Sequence, residues 1–236
     1  MSDTVNSPIL ASANDFDSRL KRTDESRWLA TRYADEAGRQ RLVAIYLLDQ
    51  QLRRTLQAKE PMLGKIRLQW WRDMLEETAA ANHAPRHDLA QELARVMKGR
   101  PDLLVPLAGW VDAFDAVLDD HLQSSGHSVS EEHERRHLAV EGALMRLAAH
   151  ALVRDPPEPA LASMEEVAIA ALVRKAALAD AEARWTLAAR RARSVPPRLW
   201  PAMLHLALND GSPSETQPTP FGKRWTVLKT MITRRL

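Results

Sequence analysis

The sequence has no cysteine, little glycine and no long apolar run. Without cysteine it has no disulfides, no zinc–thiolate sites and no thiol nucleophile, which fits a reducing compartment. Gly is held to 8 of 236 residues. β-Branched residues never form a run, and nothing alternates with period two over a useful length, so strands have no support. No stretch approaches the roughly 18 apolar residues that a membrane-spanning helix requires. The N-terminus, MSDTVNSPILASANDFD, has neither a basic leader nor a clean apolar segment. Its acids count against a transit peptide, so no signal peptide is expected and a cytoplasmic location is. Nor does one sign of charge dominate. The 33 Lys+Arg against 31 Asp+Glu leave a formal net charge of +2, too balanced to imply nucleic acid as a partner.

What is present is Leu and Ala at helical spacing. The expectation is an all-α protein, with residues 1–14 disordered and residues 15–236 forming one helical domain. A first helix is read over Phe16 to Tyr33. Asp35 caps a long helix from about Glu36 to Gln57, with Leu42, Ile45, Tyr46, Leu48, Leu52 and Leu56 at spacings of three and four. Pro61 opens the next helix, to about Ala81. Further helices are expected after an Asn82–Arg86 loop to about Lys98, from Pro101 to His121 and from about Ser130 to Arg154. Asp155-Pro156-Pro157-Glu158-Pro159 is the strongest break, read as a loop within one bundle. One Ala-rich helix is expected over Leu161 to Ser194 and a short one over Arg198 to Leu208. A basic amphipathic helix closes the chain, with Phe221, Trp225, Leu228 and Ile232 on one face. It suits either peripheral contact with an anionic membrane through residues 221–236 or packing in which Phe221 and Trp225 close one end of the core.

The most distinctive stretch is Glu60 to Leu75, EPMLGKIRLQWWRDML. It carries Leu63, Ile66, Trp70 and Met74 on one stripe and Leu68, Trp71, Leu75 and Thr78 on another. Two stripes predict neighbours on two sides and thus an inner helix. Its polar edge, Arg67, Gln69 and Arg72, suits either snorkelling around core tryptophans or a recognition surface.

Two other constellations have a chemical reading. His133-Glu134-Arg135-Arg136-His137 is a formal H-E-x-x-H, the spacing of a helical zinc site. Arg at both intervening positions and Val140 in place of Gly make it better read as a solvated helix face. Asp115 and Asp119, with Asp112 before them, share one face of a helix. They suit either Mg²⁺ and a diphosphate or plain solvated surface.

RLVAIYLLDQQLRRTLQAKEPMLGKIRLQWWRDML resembles part of the squalene/phytoene synthase family. It is most similar to a branch that includes bacterial proteins and a mitochondrial complex I assembly factor. WVDAFDAVLDD, EGALMRLAAHAL and LWPAMLHLAL are similar to later family helices. The resemblance implies a single helical bundle of the isoprenoid-synthase type around a central cavity, shortened relative to the family. It also implies a Mg²⁺-dependent head-to-head condensation of two prenyl diphosphates, with two D-x-x-x-D motifs holding the metal that neutralises the leaving diphosphate.

Against that pattern, the first motif falls on Arg53 and Gln57. Asp49 lies nearby with Arg53 one turn on. The second motif has only Asp180 and Glu182 in LVRKAALADAEAR, two residues apart. No catalytic or metal-binding residue is therefore assigned, and no cofactor is expected unless Mg²⁺ serves a residual prenyltransferase. The resulting expectation is a non-catalytic relative, an assembly or accessory factor. It would bind a protein partner, or an isoprenoid or other apolar ligand in the cavity. The signature residues Glu60, Pro61, Arg67, Gln69, Trp70, Trp71 and Arg72 are the candidate binding set. The alternative is squalene or phytoene synthase activity with degenerate motifs.

Overall fold

The computed structural model describes residues 8–58, 60–79, 87–123, 131–176, 178, 180–208 and 219–236. Among them the secondary structure is entirely helical: α1 (Pro8–Thr23), α2 (Glu25–Thr31), α3 (Glu36–Leu56), α4 (Pro61–Ala79), α5 (Asp88–Met97), α6 (Leu104–Gln123), α7 (Glu131–Leu152), α8 (Glu158–Lys175), α9 (Ala181–Ala192) and α10 (Pro220–Thr233). Short 3₁₀ segments lie at Pro101–Leu103, Pro197–Ala202 and Leu204–Leu208. Residues 1–7, the start of the segment expected to be disordered, lie outside the described residues.

Helix α3 is the axis of the bundle and packs against α1, α2, α4, α5, α6 and α7. Asp35 caps it as the sequence predicts, its side chain accepting from the Gly38 N–H at 2.7 Å. Beyond the expected stripe, Val43, Ala44 and Leu47 are buried as well. A helix apolar all round is a core helix. Tyr46, Phe114, Trp110 and Trp200 are the largest fully buried side chains.

The helix expected over Phe16 to Tyr33 is two helices. Asp24 caps α2 by accepting from the Arg27 N–H at 2.9 Å, ending α1 one residue earlier. The Ala-rich helix expected over Leu161 to Ser194 is also two, α8 and α9, packed against each other. The turn between them places Asp180 at φ 58°, a left-handed conformation that Asp tolerates better than most residues. Neither Gly nor Pro marks that break. The Asp155–Pro159 break joins α7 to α8, which also pack together. Where a short helix was expected over Arg198 to Leu208, the chain forms the two 3₁₀ segments.

Two glycines set the close approaches that the bundle needs. A Cβ on Gly64 would stand 2.6 Å from the Thr55 carbonyl oxygen and 3.0 Å from Leu118 Cδ2, so Gly64 lets α4 lie tight against α3 and α6. A Cβ on Gly142 would stand 2.8 Å from Glu165 Cγ, so Gly142 does the same for α7 and α8. The obstacle at Gly64 is backbone, which cannot rotate away. Gly64→Ala is expected to destabilise the protein by about 1–3 kcal/mol through overpacking, read as a lower midpoint in urea unfolding. An unchanged midpoint would show that α3 and α4 separate freely.

Candidate functional site

A cleft of about 390 Å³ opens between α2, α3, α7, α8 and the 3₁₀ segment Leu204–Leu208. Its polar lining includes Asp24, Arg27, Asp49, Arg53, Glu141, Lys175 and His205, and its apolar lining includes Ala168, Leu172 and Leu206. At its floor the Asp49 carboxylate is fully buried, and a buried charge must be paired. Arg27 Nη1 donates to Asp49 Oδ2 at 2.6 Å, and Arg53 Nε donates to the same oxygen at 2.8 Å. Arg53 also donates to Glu141, and Asp24 lies 3.6 Å from Arg27 Nε. The Arg27 guanidinium sits over the Tyr46 ring, 4.9 Å from its centroid, within cation–π range.

Burial pushes the Arg27 guanidinium down, but Asp49, Asp24 and Glu141 outweigh it and hold the group above its ordinary value. Arg53 behaves alike, with burial opposed by Asp49 and Glu141. Two polar atoms of the lining, Asp49 Oδ1 and His205 Nδ1, have no partner among the described residues. Burial, with Arg27 close by, pushes the His205 imidazole down to about 3.

This donor set does not fit Mg²⁺, which demands near-octahedral oxygen ligands. The Asp49 and Glu141 carboxylates already face guanidinium groups, so a divalent cation between them would meet two fixed positive charges. Of the two positions read for the first acidic motif, Arg53 lines the cleft and Gln57 is exposed at the end of α3. Asp180 sits in the α8–α9 turn and Glu182 accepts from Arg174 Nε at 2.6 Å. Neither lines the cleft. Among the described residues no group of three His, Cys, Asp or Glu converges on a common point. The cleft offers fixed guanidinium donors and a neutral imidazole beside an apolar wall, an arrangement that suits a molecule with a polar head and an apolar body.

The signature helix lies elsewhere. None of Glu60, Pro61, Arg67, Gln69, Trp70, Trp71 and Arg72 lines the cleft. Trp71 is buried, whereas Trp70 is 44% exposed, and the two rings meet edge to face with His87 against both. The inner-helix expectation for α4 is corrected. Only the side bearing Gly64, Leu68, Trp71, Met74 and Leu75 faces the bundle, and Met62, Leu63, Ile66 and Trp70 are exposed. Arg67 and Gln69 are exposed beside them.

Arg72 turns inward to Asp112 Oδ1 at 2.6 Å and Asp115 Oδ2 at 3.0 Å. Lys65 Nζ reaches Asp115 and Asp119, each at 2.6 Å. The acidic face of α6 is thus neither a metal site nor bare surface. It is the ionic seam joining α6 to α4. Burial pushes the Asp115 carboxyl up, but Lys65 and Arg72 prevail and hold it below the usual carboxylate range. In the H-E-x-x-H segment Glu134 is exposed, Arg136 donates to the Ala116 carbonyl at 3.3 Å and to Asp120 at 3.2 Å, and the His137 ring lies against His121. The His133 side chain lies outside the described residues.

Arg27, Glu141, Lys175 and His205 escaped the sequence reading because they lie on four separate elements. The one local signal was EGALMRLAAHAL, whose first residue is Glu141.

His205 generates a pH prediction. In the folded protein it stays neutral down to about pH 3, whereas the unfolded chain takes up a proton below its ordinary value of 6.5. The unfolded state therefore binds more protons in that window, and stability falls as pH drops from 6.5 toward 3. Melting temperatures of the wild type and His205→Gln across this range should show a shallower decline in the variant. Parallel declines would mean that His205 is protonated in the fold.

Comparison with curated proteins and with solved structures returned no match. The family model described as squalene/phytoene synthase matches residues 20–171. That span carries most of the cleft lining, from Thr23 on α1 to Ala171 on α8, and all of the signature helix α4. Matched over more than half of its length, the chain belongs to the squalene/phytoene synthase family.

Proposed function

We propose that this member of the family is non-catalytic and acts by binding, as an accessory or assembly factor. The observation that carries the reading is the double clamp on Asp49. Where the family's resemblance calls for acids that gather Mg²⁺, Arg27 and Arg53 neutralise the buried Asp49 carboxylate. Prenyl transfer needs metal to neutralise the departing diphosphate, and this floor repels metal. Size supports the reading as well. The cleft, about 390 Å³, is near the lower end of small-molecule sites, about 300–1,000 Å³. That suits one isoprenoid or other partly apolar ligand better than two long-chain substrates. The exposed row Met62, Leu63, Ile66 and Trp70, with Arg67 and Gln69 beside it, supports a protein partner, because Trp and Arg are frequent anchors at interfaces.

The purified protein, incubated with farnesyl or geranylgeranyl diphosphate and Mg²⁺, is expected to form no squalene- or phytoene-type hydrocarbon. Clear turnover would establish the alternative, a prenyltransferase with an altered site. For the binding surface, Trp70→Ala and Ile66→Ala remove exposed side chains and should leave the melting temperature within about 2 °C, since surface changes usually stay within about 0.5 kcal/mol. Trp71→Ala opens the core and should cost about 3–5 kcal/mol. A co-purifying partner that survives both exposed substitutions would remove α4 from the interface.

A further inference from the structure

Helix α10 has an unpartnered face of defined chemistry. It meets the bundle on α2 and on the 3₁₀ segment Leu204–Leu208, with Val227 and Thr230 buried and Lys223 Nζ 2.7 Å from Glu25 Oε2. Packing of Phe221 and Trp225 into the end of the core, one of the two expectations from sequence, is not what forms. Phe221 is 77% exposed and Ile232 72%, and Trp225 and Leu228 are exposed with them. At about 100° per residue these four fall on a single stripe, on the far side of the helix from Val227 and Thr230. Arg224 and Lys229 lie about 70° to either side of that stripe. Both are exposed, as are Arg234 and Arg235 at the helix end. Residues 219–236 contain five basic side chains and no acidic one.

We propose that α10 is an in-plane anchor for an anionic membrane surface. Phe221, Trp225, Leu228 and Ile232 would enter the headgroup–acyl boundary, and Arg224, Lys229, Arg234 and Arg235 would contact acidic headgroups. An apolar stripe flanked by cations, with Trp at the polar boundary, is the pattern of interfacial helices. At 14 residues the helix is about 21 Å long, shorter than the bilayer core, so it lies in the surface rather than across it. A second copy is the weaker occupant, because a two-fold pairing of the stripes sets both cationic flanks against each other. The consequence reaches the cleft. α10 braces α2 and the Leu204–Leu208 segment, which carry Arg27 and His205, so the anchored protein holds that wall of the cleft next to the bilayer.

Flotation of the full chain with vesicles tests it. The vesicles are phosphatidylcholine alone or phosphatidylcholine with phosphatidylglycerol. The wild type is expected to float with the anionic vesicles, to stay unbound with the neutral ones, and to be released at high salt, which screens surface charge. The doubles Trp225→Asp/Ile232→Asp and Arg224→Glu/Lys229→Glu alter only exposed side chains. Both are expected to remain in the bottom fraction with a wild-type melting curve. Equal recovery with neutral vesicles, no binding to either kind, or flotation of the doubles at the wild-type level would overturn the proposal. So would a wild-type dimer in sedimentation that Trp225→Asp dissociates, which would give the stripe to a second copy.

Discussion

A fully buried carboxylate at the centre of a helical bundle must be answered by positive charge, and much of the candidate site follows from how Asp49 is answered. Arg27 comes from α2 and Arg53 from one turn further along α3, and Arg53 also reaches Glu141 on α7. The cluster ties three helices at one point. Breaking such a group by removing one partner typically costs about 3–5 kcal/mol, because the charge left behind cannot be rehydrated. The same arrangement governs the chemistry. Guanidinium groups positioned to hold a buried acid are positioned to exclude a divalent cation from it.

The second ionic feature works differently. Lys65 and Arg72 cross from α4 to Asp112, Asp115 and Asp119 on α6. These groups are partly solvated, so each pair contributes little alone. Their value is in register. They turn α4 so that Gly64, Leu68 and Trp71 meet α3 and α6, which leaves Met62, Leu63, Ile66 and Trp70 outward. α10 repeats the pattern with Val227 and Thr230 inward and Phe221, Trp225 and Ile232 outward. Both helices are apolar on a face that the bundle leaves exposed.

Much of the fold was legible in the residues. Helical spacing, the Asp35 cap and Pro61 at the start of α4 are local signals, and local physics makes them reliable. The position of Arg53 one turn from Asp49 was legible too. The breaks at Asp24 and near Asp180 were not legible. No Gly or Pro marks either.

The sequence by itself determined an all-helical chain and its family, because these depend on residue type and near-neighbour spacing. Only the tertiary structure decided which apolar stripes are core. A periodic stripe states that a face is apolar and is silent on whether a neighbour covers it. It also decided what Arg53 is for. Its partners Asp49, Glu141 and, through Asp49, Arg27 come from three helices, and charges from distant positions acquire a common meaning only when folding places them within hydrogen-bond reach.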